Sequence, residues 1–225
     1  MVRRLWQYLQ KHKELLRLSA WLYNLFMWNR VKVKIGNQID NRGAFLKKCK
    51  INVKGKNNTI ILEPGVRLNN CHVNMSGNDA LLHIQQNSFA ENQRFHFEDN
   101  GCEIRVGEKC VFSGGEFATA EDGRKITIGR DCLFSGDIHI VTTDSHSILN
   151  KNTQRRINGG QDVEVGNHVW LAAGVTLLKG SKIPDGCVVG RHAVVTKKFN
   201  QENIVIVGCP GKCVKENVEW KAERL

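Results

Sequence analysis

In the stretch VGNHVWLAAGVTLLKGSKIPDGCVVGRHAVVTKKF, residues 165–199, an aliphatic residue returns at every sixth position: Val165, Leu171, Leu177, Ile183, Val189 and Val195. Four residues after each stand Val169, Val175, Ser181, Cys187, Ala193 and Phe199, five of them small or medium-sized. Neither the 3.6-residue period of a helix nor the 2-residue period of a strand produces this beat. It is met by a coil of flat sides, each about six residues long, made of a short strand and a corner. Three sides close one turn of about 18 residues, and turns stack by parallel backbone hydrogen bonds around a column of inward aliphatic side chains. An antiparallel sandwich would leave a fixed beat over six repeats without a cause. The expected fold is therefore all-β, a parallel β-helix of triangular section.

The same register returns at Ile128, Phe134 and Ile140, and in shorter pieces at Val106 and Phe112, Leu62 and Leu68, and Ile84 and Ala90. It breaks between Ile140 and Val165, where the polar run VTTDSHSILNKNTQRRINGGQD cannot be absorbed by a coil. An extruded loop over about 142–162 is predicted there. Rigid scaffolds often carry function on such loops. A second, smaller extrusion is expected around EFATAEDGRK, because Phe112 and Ile128 are out of register. Three segments follow: an N-terminal helical segment, 1–30; the β-helix, 31–212; and a short amphipathic C-terminal helix, 213–225.

The N-terminal MVRRLWQYLQKHKELLRLSAWLYNLFMW places Leu5, Leu9, Leu15, Leu16, Leu22 and Phe26 near helical spacing. Its apolar part is too short and too interrupted by Arg17 and Asn24 to cross a bilayer. No small-residue cleavage site follows it, so a signal peptide is not expected. Two readings stay open: packing on the body or on a neighbouring subunit, and peripheral contact of residues 1–28 with an acidic membrane through Arg3, Arg4, Lys11, Lys13 and Trp21. The 33 Lys and Arg outnumber the 22 Asp and Glu, a formal net charge of +11. That excess favours anionic partners, among them acidic polymers and phosphorylated cofactors. No nucleic-acid-binding signature accompanies it, and nucleic acid is not expected. Eight Cys, none in C-x-x-C, several of them in the small-residue slot of the beat, read as reduced thiols in a cytoplasmic protein. Cys209 and Cys213 lack a second ligand pair for zinc, and no metal is expected.

Three stretches together resemble the left-handed β-helix, or hexapeptide-repeat, acyltransferases: TTDSHSI at 142–148, the run from Val163 to Phe199, and VGCPGKCV at 207–214. The resemblance covers about 105–215. Within that family the chain is most similar to bacterial enzymes that O-acetylate capsule and other surface polysaccharides. The resemblance implies a left-handed coil, acetyl-coenzyme A (acetyl-CoA) as co-substrate, a polysaccharide or oligosaccharide acceptor and a homotrimer with its sites between subunits. Outward Trp170, Phe112 and Phe134 would supply the apolar faces for that association.

An alcohol attacks a thioester only as its proton is taken up, and neutral His suits that task near neutral pH. His146 lies in the break of register and matches the family's base; the alternative is an ordinary surface histidine. Asp144 either orients that imidazole or caps the turn. Trp170 falls on an outward position and matches a residue beside the acetyl group, its indole N–H a donor to the acyl oxygen. Covering a neighbouring subunit is its other reading. By the same resemblance Ala172, Ala173 and Gly190 line the pantetheine groove, and Thr196, Lys197, Lys198 and Lys212 lie near the adenine and phosphates. Arg191 and His192 replace smaller residues there and narrow the groove. The lysines are otherwise a solvated face. His139, His168 and His192 are weaker candidates, and no His-x4-His pair that would mark a zinc branch of the fold occurs. The expected activity is an acetyl-CoA-dependent O-acetyltransferase acting on a bacterial surface polysaccharide or its precursor. Its rivals are acetylation of a small molecule (a nucleotide amino sugar or an antibiotic) and a non-catalytic β-helical scaffold. The expected location is the cytoplasm, at the membrane's inner face if the N-terminal segment binds lipid.

Overall fold

The computed structural model describes residues 12–223. One helix, α1 (Lys13–Phe26), precedes 24 short strands among these residues. The strands form three sheets of eight, seven and nine members. Each coil gives one strand to each sheet in turn. Sheet A begins with Arg30–Val33, sheet B with Gln38–Asn41 and sheet C with Phe45–Lys47. Pairing is parallel throughout, except that Val205–Val207 takes Lys212–Lys215 as an antiparallel partner at the end of sheet C. The expected β-helix is thus the fold, and both slots of the six-residue beat face its axis. Leu171, Leu177, Ile183, Val189 and Val195, with Val175, Cys187 and Ala193, have no exposed surface.

The coil length changes along the axis. Towards the C-terminus successive coils lie 18 residues apart, as Asn167 lies from Asp185. In the N-terminal half they lie 22 apart, as Asn52 lies from Asn74. The added residues sit at the corner between sheets A and B. There a coil runs from Met75 through an Asn/Asp/Gly turn to Ala80, and the next from Phe97 to Cys102. Asn57, Asp79, Gly101 and Gly123 stack in this corner with φ of 56°, 56°, 63° and 72°. Asn, Asp and Gly tolerate that region best. Side chains tie one turn to the next: the Asn78 backbone N–H donates to Asn100 Oδ1 and that of Asn100 to Asp122 Oδ1, each at 3.0 Å.

Three expectations are corrected. The stretch around EFATAEDGRK is no separate extrusion. It is the strand Gly115–Thr119 followed by the A–B corner that every N-terminal coil shares. Phe112 and Phe134 do not face outward. They are 1% exposed and pack with Phe117 at ring separations of 5.4 and 6.0 Å, filling the wider section that 22-residue coils enclose. No helix occurs over the described part of 213–225. The chain instead forms the strand Lys212–Lys215 and an extended strap that seats Trp220 on sheet C. Backbone pairing with Val205–Val207 and burial of one indole outweigh the weak helical period of that segment.

Helix α1 lies against the first turn of sheet C. Leu16 and Ala20 are buried, Tyr23 meets Phe45 edge-on at 5.5 Å, and Asn24 donates to Ala44 O and accepts from the Leu46 N–H. Asn24 therefore docks the helix. Leu15, Leu18, Trp21, Leu22, Leu25 and Phe26 are exposed, so among the described members of the expected leucine face only Leu16 points inward. Arg3, Arg4, Leu5, Leu9 and Lys11 lie outside the described residues. No described helix is long and apolar enough to cross a membrane.

Candidate active site

The extruded loop leaves sheet A after the strand Ile138–Val141 and enters sheet B at Val163–Val165, so it stands on the same A–B corner that is enlarged in the coils above it. Coil stacking keeps a small set of polar side chains in contact with it. The Glu121 carboxylate belongs to the preceding coil. It accepts from Thr143 Oγ1 at 2.7 Å, from the Gly160 N–H at 2.8 Å and from the Arg156 guanidinium at 2.5 Å. These donors, Arg156 first, hold its carboxyl down at about 2. Asn158 is 8% exposed and pins the loop from within, donating to His146 O at 2.8 Å and to Asp144 Oδ2 at 2.9 Å, and accepting from the Ile148 N–H at 2.7 Å. From the coil on the other side, Lys179 binds the Asp144 carboxylate and donates to Asn158 O at 2.7 Å. Lys179 and then Asn158 hold the Asp144 carboxyl below the usual carboxylate range.

His146 is placed by its backbone. Its N–H donates to Asp144 O at 2.7 Å and its carbonyl accepts from Asn158, while the residue before it, Ser145, has φ of 64°. The imidazole is exposed and makes no hydrogen bond to a described residue. Asp144 therefore does not orient this ring. Its carboxylate is a strut between Lys179 and Asn158. His139 stands on the sheet A strand that feeds the loop, Nε2 at 3.0 Å from Asp137 Oδ1.

Trp170 points outward from sheet C, half-buried, with its ring centroid 6.1 Å from that of Trp220. Trp220 stacks on His168 at 4.3 Å and 11°, and its indole N–H donates to His168 O at 2.8 Å. His168 Nδ1 lies 2.7 Å from Asp131 Oδ2. His168 thus has a structural part, locking the C-terminal strap beside Trp170.

The remaining sequence candidates fall on two edges of the prism. Ala172, Ala173, Gly190 and Arg191 stack at the corner between sheets C and A, and Lys212 follows on the strand beyond. Gly174 belongs to this edge, with φ of 74°; a Cβ there would stand 2.2 Å from His192 Nδ1. The His192 ring therefore fills the corner, and the Arg191 side chain is left exposed, its Nε 3.3 Å from His192 Nε2. Thr196, Lys197 and Lys198 are exposed at the A–B corner, on the same edge as the loop, with Lys197 over the Phe199 ring at 5.2 Å. Within one chain the base candidate and the indole lie on different faces. Sequence reasoning missed Glu121, Arg156, Asn158, Lys179 and Trp220. Their partners lie up to 52 residues away, where no local pattern points to them. No group of three or more metal-ligating side chains occurs among the described residues.

No family model matches the chain. A solved structure described as the polysialic acid O-acetyltransferase OatWY superposes with a TM-score of 0.76 at 32% identity, over 88% of this chain and 89% of that one. The polysialic-acid-specific acetyltransferase NeuO superposes at 0.78 and 26% identity, over 87% and 88%. Among curated sequences, a polysialic acid O-acetyltransferase of Neisseria meningitidis is 38% identical over 81 residues; this segment is 36% of the present chain and 38% of that protein.

Proposed function

The chain belongs to the hexapeptide-repeat acetyltransferases, and from that premise we propose that it transfers the acetyl group of acetyl-CoA to a sugar hydroxyl of a bacterial surface polysaccharide or its precursor. The observation that carries this reading is the loop geometry. Glu121, Asn158 and Lys179 fix the backbone on both sides of His146 while its imidazole stays accessible.

His146 accepts the acceptor's hydroxyl proton as the oxygen attacks the thioester carbonyl. The Trp170 indole N–H meets the carbonyl oxygen where negative charge grows. The C–S bond then breaks, and the imidazolium returns the proton to the departing thiolate, which restores the neutral base. The half-buried corner of Ala172, Ala173 and Gly190 has only small side chains and suits an extended amide-bearing arm. Arg191, Lys197, Lys198 and Lys212 supply cations for its phosphates.

Because His146 and Trp170 lie on different faces, the A–B edge of one copy must meet the C–A edge of another to assemble this chemistry. A homotrimer with three equivalent sites does so with closed symmetry. The eight free thiols, six of them buried, favour a reducing compartment and so a cytoplasmic location.

The test is mass spectrometry of glycans after incubation with acetyl-CoA. A gain of acetyl on a polysialic acid polymer, with none on free monosaccharides, is the expected result. Transfer confined to a monosaccharide, a nucleotide sugar or chloramphenicol would support the small-molecule reading. Absence of both transfer and CoA release would support a scaffold.

A further inference from the structure

The positive charge is distributed unevenly among the three faces. On sheet B nearly every base has an acid beside it. Arg42 contacts Asp40 and Glu63, Arg105 and Lys125 share Glu103, and Lys182 meets Glu164. On the N-terminal coils of sheet A the pattern is reversed. Arg30, Lys32, Lys34, Lys50 and Lys54 are all exposed, and none of them forms an ion pair with any described residue.

The register stacks these charges. Arg30 stands opposite Lys50, Lys50 opposite His72, and His72 opposite Arg94. Strand spacing in a sheet is about 4.8 Å, and like charges directly opposite one another destabilise the pair. His72 carries the mark of this field: burial, then the charges of Lys50 and Arg94, push its pKa down. Protection of a bare sheet edge would explain lysines on the first strand alone. It does not explain Lys50 and Lys54, which lie on and just after a paired inner strand; Arg94, further along the face, is paired with Glu116 at 3.6 Å and is not one of the unpaired cations. Between the cations, Asn52 and Asn74 present amides on the same face, with Asn52 Nδ2 donating to Asn74 Oδ1 at 2.9 Å. The ladder then continues through Glu116 to His139, on the strand that feeds the His146 loop.

We infer that this stripe of unpaired cations on sheet A is a binding track for a polyanionic polysaccharide, laid along the prism axis and leading to the loop. The inference rests on the reading of the chain as a sugar O-acetyltransferase and adds where a charged acceptor is held. Unpaired cations gathered on the first two coils of this face, with the Asn52 and Asn74 amides in the adjoining column of the register, fit a polymer bearing one carboxylate per sugar. The long flat face lets many weak contacts add along one chain. Anionic lipid headgroups share the charge chemistry. They would also require the apolar side chains of α1 to lie in the same plane, and that helix packs on sheet C instead.

The experiment compares two triple variants of the full chain. One carries Lys32→Gln, Lys50→Gln and Lys54→Gln. The other carries Arg105→Gln, Lys109→Gln and Lys125→Gln, which removes the same charge from the other side. All six side chains are surface-exposed and Gln keeps much of each stem, so both variants are expected to fold, which circular dichroism checks. Binding of polysialic acid, of neutral dextran and of vesicles containing phosphatidylserine is measured at low and high salt, with acetyl transfer followed in parallel. The sheet A triple should weaken polymer binding about tenfold or more and flatten its salt dependence, while the control triple changes it less than threefold. KM for the polymer should rise, with kcat nearly unchanged. Equal losses in both triples, or no polymer binding by the parent chain, would overturn the inference. So would vesicle binding that falls in the sheet A triple while polymer binding holds, which would assign the stripe to membrane. Polymer binding through the stripe without acetyl transfer to any glycan would sink the catalytic reading and leave the track standing. Transfer to polymer that ignores the sheet A triple would do the reverse.

Discussion

At the scale of single residues, the proposed chemistry rests on one imidazole and one indole. His146→Ala should lower the transfer rate by about 10²–10⁴-fold, the usual range for a lost general base. Its effect on acetyl-CoA binding should be small, because the imidazole meets the acceptor. Unchanged turnover in a folded His146→Ala protein would move the base elsewhere, with His139 next in line. Trp220→Ala should act indirectly. It removes the ring stacked on His168 and beside Trp170, so it should raise KM for acetyl-CoA, and Phe at the same position should restore most of the loss. His146 was legible in the sequence because it sits in a polar break of register. Asp144 was legible as a candidate, but its task was not, since Lys179 comes from a later coil. The seat of Trp220 is invisible in its own helix-like stretch because its stacking partner His168 lies 52 residues earlier.

At the scale of elements, the loop and the coil each make a claim. Glu121 clamps the loop through Thr143, Arg156 and Gly160, and its carboxyl is held at about 2. A depressed carboxyl contributes stability above its unfolded pKa and loses it as pH falls through the folded value. Loop anchoring should therefore be intact near neutrality and fade between about pH 4.5 and pH 2. Hydrogen exchange over 142–162 across this range should show the change, and Glu121→Gln should show the loosened pattern already at pH 7. In the coils, Phe117 is fully buried and meets Phe95, Phe112 and Phe134. Phe117→Ala should cost about 3–5 kcal/mol in denaturant unfolding, as large cavities in aromatic cores do. The fold was readable over 165–199 because 18-residue coils divide evenly into sixes. It was faint before residue 105 because extra residues at one corner shift the phase on every turn, although the inward alternation within each strand is intact there. Phe112 and Phe134 belonged to the inward register, and their packing follows it.

At the scale of the whole molecule, a prism that separates the proposed base from the indole predicts association. Light scattering should give a trimer, three times the 25.4 kDa chain, and a stable monomer at micromolar concentration would contradict the shared site. CoA binding should weaken with added salt, since in the proposed site its phosphates meet exposed cations and screening acts over about 8 Å at physiological ionic strength. The two coil lengths described above have one more consequence. A solenoid grows by whole turns, and its N-terminal turns are interchangeable in register, so its height is a setting independent of its chemistry. Excising residues 50–71, one complete turn from Lys50 to the residue before His72, should close the gap with Arg30 facing His72 and leave the loop and both catalytic edges untouched. The molecule would be shorter by one strand spacing, about 4.8 Å. The N-terminal half is then a ruler: the number of turns above the loop sets how far from the reacting hydroxyl a chain can still be gripped, and each turn lost should lower by about one sugar the shortest oligomer that gains full affinity.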